Sequence, residues 1–222
     1  TVIPATTVPQ RAPDQVLSGP PFQENATLCL QASNNLYAEH ILIAAAGEPY
    51  ASNPWPKASR ALQEFLTQTV RWPEPPPRCA DGSGLSRLNL VTTQGICQSL
   101  QWAKKQSWYK SFKDSLARPG VGTLRARLKG VEFNGKTGTL TGASALSGYL
   151  KTKAQEELVV SIIINNANLT TPAQQAIIDK IIAILESRTP DEAASPFPPI
   201  ARQHPQALPH PSPAPLAWHR LH

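Results

Sequence analysis

Between Asn25 and Ala46 the apolar positions Leu36, Ile41 and Leu42, with alanines beside them, recur at near-helical spacing. Ser33 or Asn34 can cap a new helix, with Tyr37 in its first turn, so Ser33-Asn34-Asn35 falls where one helix or loop hands over to another. A second helix is predicted from Lys57 to Val70, with Ala61, Leu62, Phe65 and Leu66 as its apolar stripe. It stops ahead of the stiff loop RWPEPPPRC. In DGSGLSRLNLVTT, Asp81-Gly82 and Ser83-Gly84 read as turns, and Thr92 or Thr93 caps a helix from Gln94 to Lys105.

Beyond Gly130 the period changes. Gly135 to Thr141, Ser144 to Lys151 and Leu158 to Asn165, the last with the β-branched run VVSIII, read as strands separated by short polar turns. Three consecutive strands with such short connections predict an antiparallel meander. Thr171-Pro172 then opens a helix through Ile184 that places Ile177, Ile178, Ile181 and Ile182 on its buried side. The fold class expected is α/β of the α+β type, an antiparallel sheet flanked by helices.

Prolines crowd both ends, which divides the chain into a proline-rich segment at 1–24, a folded part at 25–189 and a disordered Pro/His-rich tail at 190–222. A folded part of that size holds one core. No apolar run reaches the ~20 residues of a membrane span, and the first residues lack the pattern of a secretory signal. The chain contains no methionine, as a processed chain or a fragment would.

Cys29, Cys79 and Cys97 fit neither a metal pair nor a dense disulfide framework, and read as small apolar residues, with one disulfide open if the compartment is oxidising. His40 reads as a packed or surface histidine, and no metal or cofactor is expected. The net charge of +6 is concentrated: residues 99 to 153 carry eleven Lys and Arg, Lys104 through Lys153, against Asp114 and Glu132. Without interleaved exposed aromatics or a nucleic-acid motif, this reads as a solvated helix face, and no nucleic-acid partner is expected.

Chemistry points to two short stretches. Lys136-Thr137-Gly138-Thr139 lies on the strand that begins the meander, where a lysine can hold its charge toward a cleft and Gly138 lets a ligand backbone come close. Ser33-Asn34-Asn35 supplies a serine and an amide about a hundred residues earlier. Ser-x-x-Lys, Ser-Asp-Asn and Lys-Thr-Gly form the known set of β-lactamases and penicillin-binding proteins, and these two stretches correspond to its second and third members. Ser83 does not complete a Gly-x-Ser-x-Gly elbow, because Asp81 stands where glycine is needed.

The surrounding SNNLYAEHIL, DGSGLSRLNL and GKTGTLTGASALSGYL, in this order, closely resemble the D-alanyl-D-alanine carboxypeptidases of the class C penicillin-binding type, peptidase family S13. SLARPGVGTLRARL resembles that family's link into the Lys-Thr-Gly strand, and the likeness covers about Asn25 to Ser187. The resemblance implies the C-terminal part of a β-lactamase/transpeptidase-like domain, a partial domain, from a serine enzyme of the periplasm or cell envelope. Such an enzyme cleaves D-Ala-D-Ala in peptidoglycan stem peptides through an acyl-enzyme and, in its full-length form, takes β-lactams.

It further implies that Lys136 and Thr137 hold the substrate carboxylate and that Gly138 belongs to the binding edge. Thr139 would give its backbone N–H to the oxyanion, Ser33 would relay a proton to the leaving amine, and Asn35 would bind the substrate amide carbonyl. The sequence departs from the family at the nucleophile: nothing before Ser33 fits Ser-x-x-Lys. Ser107-Trp108-Tyr109-Lys110 matches the pattern literally but lies between the other motifs, where the family has no nucleophile, and reads as a decoy. The main reading is therefore a C-terminal portion inactive alone. The alternative is an inert remnant or peptidoglycan-binding module, and an outright β-lactamase ranks last.

Overall fold

The computed structural model describes residues 19–47 and 52–189. Six helices occupy Phe22–Ala32 (α1), Asn35–Ala45 (α2), Trp55–Glu64 (α3), Thr93–Lys104 (α4), Tyr109–Ser115 (α5) and Thr171–Glu186 (α6). Three strands occupy Phe133–Leu140 (β1), Ala143–Lys151 (β2) and Glu157–Ile164 (β3). The expected antiparallel meander forms, in the order β1-β2-β3. The expected tail lies outside the described residues, and α1 starts at Phe22, so the expected boundary after residue 24 falls inside its first turn.

Side-chain oxygens start the helices as the sequence suggests: Asn34 caps α2 by accepting from Tyr37 N at 3.2 Å, and Thr92 caps α4 by accepting from Gly95 N at 3.0 Å. The helix expected to reach Val70 is regular to Glu64 and continues as a π-helical turn from Phe65 to Thr69. α5, inside the basic stretch, was not separated from it by any apolar period.

Register decides which side chains meet. Lys136 pairs with Ser147, and Ser147 with Ser161, so these three share one face of the sheet. On that face Tyr149 is buried and donates to Leu100 O of α4 at 2.9 Å. The opposite face carries Phe133, Leu146, Leu150 and Val160, which form the core with Ile178 and Ile182 of α6 and with Leu124 and Leu128. The sheet is thus covered on both faces. Ile177 and Ile181, expected on the buried side of α6, are instead exposed: at 3.6 residues per turn only one of each adjacent isoleucine pair can face a flat sheet. β1 and β2 approach so closely that a Cβ on Gly148 would collide with the Asn134 carbonyl oxygen.

Candidate functional site

Ser33 ends α1 in the left-handed conformation, at φ 56° and ψ 50°, and Asn34 at once caps α2. This tight hand-over turns the Ser33 hydroxyl toward β1, where Lys136 Nζ donates to Ser33 Oγ at 2.6 Å across 103 positions of sequence. Lys136 Nζ also donates to Thr137 O at 2.6 Å. Burial holds the Lys136 ammonium below its ordinary pKa, partly offset by the neighbouring Cys29 thiol. A lysine so placed gives up its proton at lower pH than a free one, which suits it to exchange protons with the hydroxyl it touches.

Thr137 leaves the strand on the other side, and its hydroxyl donates to Thr123 Oγ1 at 2.8 Å. Thr137 and Thr139 line a cleft of about 640 Å³ whose walls come from the end of α1, the segment from Gly122 to Arg127 and Gln175 of α6. Gly138 and Thr139 are exposed along β1, an edge strand of the sheet, and Asn35 is exposed as the first residue of α2. Ser33 and Lys136 therefore meet directly, while Thr137 and Thr139 open onto an adjoining cleft with Thr123, which the sequence did not mark, and Arg125, which reads from sequence only as one of the solvated basic residues. The quoted link SLARPGVGTLRARL contained both.

The DGSGLSRLNL loop is fastened at both ends of this site. Glu39 of α2 accepts from Gly82 N and Ser83 N, each at 3.0 Å. Asp81 accepts from Gly84 N at 2.8 Å, Ser86 N at 2.6 Å and Asn89 Nδ2 at 2.7 Å. Arg87 Nη2 donates to Thr141 O, just past β1, at 2.9 Å. Ser83 is thus a turn serine whose N–H anchors the loop on α2.

Ser107 is exposed in the turn before α5, and Lys110 is spent on Asp114 at 2.6 Å. Neither lines the cleft. His40 is exposed, with Nδ1 2.8 Å from Leu36 O. The three cysteines are free thiols, each pushed up in pKa by burial first of all.

Residues 2–188 match the D-Ala-D-Ala carboxypeptidase 3 (S13) family, a match that begins well before Asn25. Over 162 residues the chain is 33% identical to a D-alanyl-D-alanine carboxypeptidase of Actinomadura sp. (strain R39), covering 68% of this chain and 29% of that protein. The backbone superposes on penicillin binding protein 4 of Haemophilus influenzae with a TM-score of 0.63 at 23% identity, covering 74% of this chain and 41% of the other. It superposes on a class A β-lactamase of Bacteroides cellulosilyticus with a TM-score of 0.55 at 20% identity, covering 74% and 62%. The fold is β-lactamase/transpeptidase-like, as the family resemblance implied, and the chain spans less than a third of the length of its Actinomadura relative.

Proposed function

The chain belongs to the D-Ala-D-Ala carboxypeptidase 3 (S13) family, and from that premise we propose that it carries the substrate-holding part of a serine D-Ala-D-Ala carboxypeptidase/endopeptidase acting on peptidoglycan stem peptides in the periplasm or cell envelope. The contact between Lys136 Nζ and Ser33 Oγ at 2.6 Å is the observation that carries this reading. A cation and a hydroxyl from distant stretches, held in contact at the edge of a sheet, can move a proton at a bond being broken.

In this reading an attacking serine forms an ester with the carbonyl carbon of the penultimate D-Ala, and the terminal D-Ala leaves as an amine. Ser33 hands that amine its proton, replenished through Lys136. Thr139 gives its N–H to the oxyanion, an interaction of ~3 kcal/mol in other enzymes. Gly138 keeps the exposed edge of β1 open for the substrate backbone to add as a strand, and Asn35 takes the substrate amide. Water then cleaves the ester. The attacking serine of a Ser-x-x-Lys pair does not stand before Ser33 in these 222 residues, so they orient substrate without forming the bond.

Fluorescent penicillin tests this. The 222-residue chain, incubated and then denatured, is expected to carry no label, because orientation and electrostatics without the nucleophile fall orders of magnitude short of enzyme rates. A chain extended upstream to include a Ser-x-x-Lys helix is expected to be labelled stoichiometrically. Label on the shorter chain that disappears in Ser107→Ala would make Ser107 the nucleophile. A folded extended chain that stays unlabelled would replace the enzyme with a binding module or inert remnant.

A further inference from the structure

We infer that Arg125 is the cation that receives the C-terminal carboxylate of the peptide, with the hydroxyls of Thr137 and Thr139 as its partners. The inference rests on the carboxypeptidase reading above and reassigns within it the charged half of a role that the family resemblance implies for Lys136 and Thr137.

Alternation along β1 separates the two jobs. Lys136 shares a face with Ser147, and its ammonium is engaged by Ser33 Oγ and Thr137 O. Thr137 and Thr139 project from the other face into the cleft, which Lys136 does not line. A carboxylate held by those two hydroxyls therefore needs a positive charge from elsewhere. Among the described residues, two arginines line the cleft. Arg127 is committed: its Nε and Nη2 grip Asp179 at 3.2 and 2.6 Å. Arg125 is exposed, and among the described residues it has neither an ion pair nor a hydrogen bond to its side chain.

Among the described residues no carboxylate lines the cleft, so Arg125 leaves this lining with an uncompensated positive charge. Its base is fixed from two directions. Leu124 beside it is fully buried in the core, and Gly122 at φ 62° packs its backbone so tightly on the Gln31 carbonyl that a Cβ would collide there. Arg125 thus combines a rigid backbone with an unspent guanidinium, whose two parallel N–H groups match a carboxylate.

The experiment is an NMR titration of the isotope-labelled 222-residue chain with acetylated L-lysyl-D-alanyl-D-alanine and with its C-terminal amide. The chain is expected to bind the acid about tenfold more tightly than the amide, the worth of one charge-assisted contact, and the preference should shrink with added salt. Arg125→Gln should bring the two affinities together by weakening only the acid, while Arg125→Lys, keeping the charge without the fork, should retain part of the preference. If Arg125→Gln keeps the full preference while Thr137→Val loses it, the inference is wrong and the carboxypeptidase reading stands. Equal affinity for acid and amide in the unaltered chain, or none for either, overturns both. Arg125 is exposed, so unchanged amide chemical shifts elsewhere in Arg125→Gln confirm that the variant is folded.

Discussion

Ser33 shows how a single residue keeps a side-chain contact at the expense of backbone stability. Its φ of 56° lies in the left-handed region, which suits the glycine common where a helix ends, and a residue with a Cβ loses about 1 kcal/mol there. The position nevertheless holds a serine, whose hydroxyl meets Lys136 at 2.6 Å. Ser33→Gly and Ser33→Ala both remove that hydroxyl, but only the first relieves the backbone. The glycine variant is expected to be the more stable of the two by about 1 kcal/mol in urea unfolding, the reverse of their order inside a helix. An alanine variant as stable as the glycine variant would show that the turn is not strained. The serine and the lysine were both legible in the sequence as motifs. The family resemblance put both in one site, but the direct bond between them was not legible, since nothing local in either stretch encodes a partner 103 positions away.

At the scale of elements, periodicity revealed the meander, the helix hand-over at Ser33 and the caps of α2 and α4, because each rests on neighbouring residues. It did not reveal α5, whose polar sequence YKSFKDS has no apolar stripe and which is held by tertiary contacts instead. Glu157, the first residue of β3, makes several of those contacts: Lys104 of α4 reaches it at 2.9 Å, Tyr109 of α5 at 2.9 Å, and Lys113 of α5 also bonds it. Burial alone would push this carboxyl up, but the three hydrogen bonds outweigh it and bring the pKa down to about 2 from 4.5. A depressed carboxyl stabilises the fold fully above its unfolded pKa and loses that contribution as the pH falls through its folded one. The window therefore runs from about pH 4.5 down to about 2. With a quarter of the side chain still in water, the contribution is roughly 1–2 kcal/mol. Glu157→Gln is expected to be destabilised by that amount at pH 7 and to converge on the parent protein near pH 2. Parallel unfolding curves at all pH values would remove Glu157 from the account.

Across the whole molecule, the same core that holds the sheet together also aims the cleft. Leu124, fully buried with Leu146, Leu150, Ile178 and Ile182, sits between Thr123, which meets Thr137, and Arg125, which lines the cleft. This arrangement was not legible in the sequence, where GVGTLRARL has neither a strand nor a helix period and its leucine reads like any other. It also separates a global effect from a local one. Leu124→Ala and Ile182→Ala each remove a fully buried side chain from one cluster, and each should cost about 3 kcal/mol, within the 2–5 kcal/mol range for such truncations. In urea both are expected to lower the midpoint without changing the slope. Their effects on ligand should differ. Ile182 lies far along α6 from the cleft wall, so at concentrations of urea where both variants remain folded, Ile182→Ala should keep the parent preference for peptide acid over amide. Leu124→Ala loosens the turn that carries Thr123 and Arg125 and should lose most of that preference. Equal loss in both variants would mean that the cleft answers only to overall stability, and equal retention would mean that the turn is fixed by its backbone contacts with α1 rather than by Leu124.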